Sequence, residues 1–185
     1  MKDNKGKNNI RQKQYIRSVT SHGMLVAMAI VLSWLEAQIP AFFAVPGMKL
    51  GITNIVVVTA LYKMSSPSAM GINILRIILV SFMFGGPSAM IYSLSGGMLS
   101  TLIMILLKKI RHFSITAVSI AGGVFHNIGQ VAAAAVILNT DGIFWYLSVL
   151  WFTGMVTGTL IGILSSQLVK RLPDSLFSLR SGGTK

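Results

Sequence analysis

The sequence predicts an all-α membrane protein of six transmembrane helices, with both termini on the cytoplasmic side. Three observations predict it. First, hydrophobic residues make up 53% of the 185 and charged residues only 11%, where ordinary soluble domains carry about 25% charge. So little charge cannot cover a water-facing surface, and the mean hydropathy is correspondingly high at +0.71. Second, six apolar segments lie between turn or charge signals, at roughly 22–39, 50–63, 68–84, 88–107, 114–138 and 143–169. Third, the net charge of +12 falls in alternate links. The N-terminal tail holds Lys2, Lys5, Lys7, Arg11, Lys13 and Arg17 against Asp3. Lys63 follows segment two, and Lys108, Lys109 and Arg111 follow segment four. Lys170, Arg171, Arg180 and Lys185 against Asp174 follow segment six, while the other links hold only Lys49 and Asp141. Lys and Arg bias short loops to the cytoplasm, so the basic balance reads as topology and not as a nucleic-acid footprint. The division is a basic cytoplasmic tail over 1–21, a membrane domain over 22–170 and a cytoplasmic tail over 171–185.

The first segment reads as a retained span. Polar residues precede it, and Trp34, Glu36 and Gln38 occupy the place where a signal peptide needs small residues for cleavage. The link that follows contains "VPGMKLGITN", from Val45 to Asn54. Pro40, Pro46, Gly47 and Gly51 break the helices there. This topology puts the link on the outer face, as a short apolar cap over a cavity or as a plain connector whose Lys49 snorkels to the headgroups. Segments two and three are shorter than the roughly 20 residues a helix needs to cross hydrocarbon. They are tilted, lengthened by their flanks or sheltered by neighbours.

Small residues punctuate several segments. Gly154, Gly158 and Gly162 recur every four residues in segment six, with Ser166 continuing the stripe. Ala29, Ser33 and Ala37 do the same in segment one, and Gly23 and Ala27 lie on another of its faces. Such stripes let helices approach closely in lipid. Those of segment one either pack the bundle or dock a second membrane subunit.

Polar side chains inside apolar segments are the candidate ligand site, because ionisable groups in spans are costly and face a cavity or a partner. Arg76 lies near the middle of segment three, with Asn73 three positions earlier on the same face. Glu36 lies near the outer end of segment one, and Asn54 opens segment two. Segment four offers Ser95 within "SLSGGMLS". His126, Asn127 and Gln130 cluster in "GGVFHNIGQ" of segment five. With Lys49, these groups suit an anionic or acceptor-rich small molecule, oriented by the amides. Arg76 paired with Glu36, and His126 as an interhelical hydrogen bonder, are the structural alternatives.

The absences narrow the chemistry. There is no cysteine, no G-x-x-x-x-G-K-[ST], no H-E-x-x-H and no nucleophile elbow. The four acidic residues are scattered, and Glu36 alone lies within a span. Carboxylate-pair and two-metal catalysis have no residues to use. The sequence predicts neither an enzyme nor a metal or cofactor site.

The ordered set "PGMKLGITN", Arg76, "YSLSGGMLS" and "VFHNIGQ" resembles the Gx transporter family. Members of that family are often labelled heptaprenyl diphosphate synthase component I, and the family is grouped with the S components of energy-coupling factor (ECF) transporters. The resemblance covers about 22–170. It implies a six-helix protein that captures a small molecule near the outer face, gated by its first outer loop. It also implies partners, a transmembrane T subunit and two cytoplasmic ATPases, with small residues of helix one at the T-subunit contact. The matching positions are Gly23, Ala27, Ala29 and Ser33. Two other readings stand beside this one. The first is a non-catalytic membrane accessory subunit of isoprenoid or quinone metabolism. The second is an autonomous secondary transporter. In the S-component reading, the basic cytoplasmic clusters hold anionic lipid headgroups, at about 1 kcal/mol per Lys or Arg.

Overall fold

The computed structural model describes residues 2–38, 51–139 and 144–177. The expected cap around 40–50, Lys49 included, lies outside the described residues. Within them the chain is helical: α1 (Lys2–Gln38), α2 (Asn54–Lys63), α3 (Ser66–Val80), α4 (Gly86–Ile110), α5 (Ile115–Leu138) and α6 (Phe144–Arg171). A π-helical turn, Ser81–Gly85, joins α3 to α4, and a 3₁₀ turn, Asp174–Leu176, follows α6.

Local chemistry sets the boundaries. Ser65 and Ser114 cap α3 and α5, each hydroxyl accepting from the backbone N–H three residues on (3.2 and 3.1 Å). Arg111 and Asn139 end α4 and α5 in the left-handed region. Gly86, at φ +78°, turns the chain between α3 and α4.

Four helical runs among the described residues are long and apolar enough to cross a membrane: Arg11–Glu36, Ser66–Ile110, Ile115–Leu138 and Leu147–Arg171. The second run is not one straight rod. Asn73 of α3 donates to Gly97 O and to Thr101 Oγ1 of α4 (3.0 and 2.8 Å). Residues flanking the Ser81–Gly86 turn are thereby brought face to face, so the run is an antiparallel hairpin. The short α2 is ten residues long. Its stretch Val56–Leu61 is buried throughout, and with Leu25, Ala29, Ala69, Ile72, Met104 and Val118 it forms the core.

Two features differ from the sequence expectation. Helix α1 begins at Lys2 and not near 22, because nothing in the polar N-terminal stretch interrupts helical hydrogen bonding. The segment after 170, expected as a tail, folds back on the bundle. Phe177 is 1% exposed within the core cluster, Ser21 Oγ donates to Leu176 O at 2.6 Å, and Lys63 pairs with Asp174 at 2.7 Å. At the same end, Lys108 Nζ donates to Leu61 O and lies over the Tyr62 ring, 5.2 Å from its centroid. His22 links α1 to α3 through Ser68 Oγ (2.9 Å). The basic links after α2, α4 and α6 therefore gather at one end of the bundle.

Candidate functional site

The other half of the bundle encloses a chamber of about 440 Å³. Its origin is a difference in helix length. Ten residues carry α2 about 15 Å, whereas the 24 residues of α5 extend about 36 Å. The longer helices continue past the N-terminus of α2 and wall in the space beyond it. Gly51, Thr53 and Asn54 line the chamber there. Ser33 and Glu36 of α1, Arg76 and Ile77 of α3, Ser93 of α4, His126, Asn127 and Gln130 of α5 and Thr157 of α6 line it around the sides. The volume falls in the range of about 300–1,000 Å³ usual for small-molecule pockets.

Glycines bring these walls together. A Cβ on Gly96 would meet His126 O at 2.5 Å and Gln130 Cγ at 2.7 Å, and one on Gly129 would meet Gly96 Cα at 2.8 Å. Gly96 of "SLSGGMLS" and Gly129 of "GGVFHNIGQ" thus form the α4–α5 crossing over which His126 and Gln130 reach the chamber. The stripe of α6 serves the α5–α6 crossing. A Cβ at Gly158 or Gly162 would meet Ile120 Cα or Thr116 Cα at 2.7 Å. Asn127 ties the same two helices, its amide donating to Leu150 O at 2.6 Å.

The candidate residues separate by role. Glu36, Asn54, Arg76, His126, Asn127 and Gln130 converge on the chamber. Asn73 does not reach it. The side chain is 2% exposed, and its amide donates twice into α4 while its Oδ1 accepts from Arg76 Nε and Nη2 (3.2 and 2.6 Å). An asparagine amide offers two donors and two lone pairs, so all four are spent. Ser95 also lies outside the lining, its hydroxyl returning to Ile91 O at 3.0 Å. Ser93, one residue pair earlier on α4, is the serine that lines the chamber. Glu36 is held by the start of α2, accepting from Gly51 N at 2.5 Å and from Thr53 Oγ1 at 3.3 Å. Among the described residues no ion pair joins Glu36 to Arg76. Nor do three His, Asp or Glu side chains come together among them as metal ligands would.

The small residues of α1 divide the same way. Ala29 and Ser33 are buried within the bundle, and Ser33 Oγ meets Thr53 Oγ1 at 2.9 Å. An external subunit cannot reach them without opening the fold. Gly23 and Ala27 face outward, and nothing lies within 4 Å of a Cβ built on Gly23. Thr53, Thr157 and Phe84, which also line the chamber, carried no distinguishing signal in the sequence, since hydroxyls and aromatics recur along every segment.

A family model described as heptaprenyl diphosphate synthase component I matches residues 25–168. The chain belongs to that family, and with its apolar helices it is an integral membrane protein. No curated protein and no solved structure matches it.

Proposed function

We propose that this protein is a six-span, S-component-like membrane subunit that captures a small molecule from outside the cell. Both termini lie in the cytoplasm, and a T subunit with two ATPases drives uptake. The observation that carries this reading is the chamber: a ligand-sized space that holds an arginine, a glutamate and a histidine among apolar walls, inside an apolar bundle. Ionisable groups at such depth are expensive unless they serve a ligand or a partner. The gathering of basic links at the opposite end supports the outward orientation, because Lys and Arg mark the cytoplasmic side.

In this mechanism the ligand enters between the segment around 40–54 and helices α4 to α6. Arg76, His126 and Lys49 meet its negative or acceptor groups, and Asn54, Asn127 and Gln130 orient it. The segment around 40–54 closes over it. The bundle then reorients against the T subunit, with Gly23 and Ala27 the outward small residues of α1 that such a contact would use. The basic end holds anionic headgroups throughout.

The family description favours a second reading, a non-catalytic accessory subunit of isoprenoid or quinone metabolism. Two measurements separate them. A compound co-purifying with the protein, and lost in Arg76→Ala or His126→Ala, supports capture. Retention of a soluble prenyltransferase on the purified protein, with an empty chamber, supports the accessory role. Uptake that persists in cells lacking every ECF ATPase contradicts the coupled mechanism and leaves an autonomous carrier.

A further inference from the structure

Arg76 is the best-fixed polar group of the chamber, and the way it is fixed narrows what it can bind. Its Nε and Nη2 both donate to Asn73 Oδ1. Asn73 is in turn anchored by Gly97 O and Thr101 Oγ1, and the Thr101 hydroxyl donates to Gly97 O at 2.8 Å. The carbonyl of α4 therefore receives both donors, and no atom of the relay is left over. Gly97 leaves room for the approach: a Cβ there would meet the end of the Ile77 side chain, Cδ1, at 2.5 Å and Asn73 Nδ2 at 3.1 Å. The guanidinium has five N–H donors in a rigid plane. Two point at Asn73, which leaves the paired Nη1 and Nη2 edge of a side chain that lines the chamber.

That remaining edge matches a planar oxyanion in two parallel hydrogen bonds. The charge around it sets a limit on the anion. Arg76 is the permanent cation among the described lining residues, and the Glu36 carboxylate shares the chamber. Like charges interact strongly where water is scarce. A diphosphate sets at least two negative charges beside the Glu36 carboxylate, and the fork of Arg76 engages only one of its phosphoryl groups. A single carboxylate is balanced, and Glu36, with lone pairs beyond those used by Gly51 and Thr53, favours a ligand that also carries an N–H donor.

We infer that Arg76 receives the carboxylate of a small organic acid bearing a hydrogen-bond donor, and that Asn73, Thr101 and Gly97 are positioning residues that hold its fork. This rests on the reading of the chamber as a ligand site. It departs from an isoprenoid diphosphate as the chamber's occupant.

The test uses full-length protein in lipid nanodiscs and four probes at millimolar concentration. The probes are hippurate (a carboxylate with an adjacent N–H), its methyl ester, phenyl phosphate and geranyl diphosphate, each read by the shift in thermal unfolding midpoint. Hippurate is expected to stabilise the protein and the ester not. Arg76→Lys, which keeps the charge and loses the fork, is expected to weaken hippurate about tenfold. Thr101→Val is expected to lower the preference for hippurate over its ester by a similar factor, and Thr101→Ser to restore it. A purely structural role for Thr101 would change stability without changing that preference. If Thr101→Val does not fold, Arg76→Lys carries the test alone. Stronger stabilisation by geranyl diphosphate or phenyl phosphate would overturn the carboxylate assignment and leave small-molecule capture standing. No response to any probe, with Arg76→Lys indistinguishable from wild type, would overturn both.

Discussion

Glycine decides where the helices of this bundle touch, and its positions sort into those that are needed and those that are spare. At Gly158 the α5 backbone occupies the space a side chain would take, with Ile120 Cα 2.7 Å and Ser119 O 3.0 Å from a built Cβ. Backbone cannot move aside as a flexible side-chain end can. Gly158→Ala is therefore expected to cost about 1–3 kcal/mol, as overpacking does elsewhere. Gly23→Ala meets nothing and adds helix propensity, so its unfolding midpoint in detergent should equal or exceed that of wild type. Equal midpoints for the two variants would contradict the packing described here. Both glycines looked alike in the sequence, as members of four-residue stripes. The same limit applies to Asn73. Its place on the face of Arg76 was legible from a spacing of three, but its saturation was not. The partners that spend its hydrogen bonds, Gly97 and Thr101, lie on another helix.

At the scale of elements, hydropathy and helix breakers placed α2 to α6, and the C-terminal end of α1, close to their observed ranges. Failure came where no hydrophobic period exists. The N-terminal half of α1 is polar on every side, and the chain after Arg171 reads as a charged tail. Yet Phe177 returns to the core beside α2. The buried ring and the Lys63–Asp174 pair both hold that return, and magnitudes separate them. The Lys63–Asp174 pair is short, but the Asp174 side chain is 76% exposed, and exposed pairs contribute about 0–1 kcal/mol. Removing a buried phenylalanine costs about 3–5 kcal/mol. Phe177→Ala should thus lower the unfolding midpoint far more than Asp174→Ala, and by more in the presence of moderate salt, where the ion pair is already screened. A larger loss from Asp174→Ala would mean that the ion pair, and not the ring, anchors the turn.

The whole molecule is polar in the directional sense. One end collects the basic links, the Lys63–Asp174 pair and the folded-back C-terminal turn. The other half holds the chamber, bounded by the N-terminus of the short α2. The charge pattern made the first half of that statement legible from sequence alone. The chamber was legible only as an inventory of polar residues. Which of them line it depends on helix rotation, fixed by glycine contacts far apart in the chain. That is why Ser93 faces inward while Ser95 turns back on its own helix. The chain has no cysteine, so one introduced thiol reports its own surroundings without background. The most direct measurement is the labelling of Ser93→Cys by a membrane-impermeant maleimide, applied to intact cells and to inside-out vesicles. A chamber that opens away from the basic end predicts labelling in intact cells and protection in the vesicles. Labelling in the vesicles alone would contradict it.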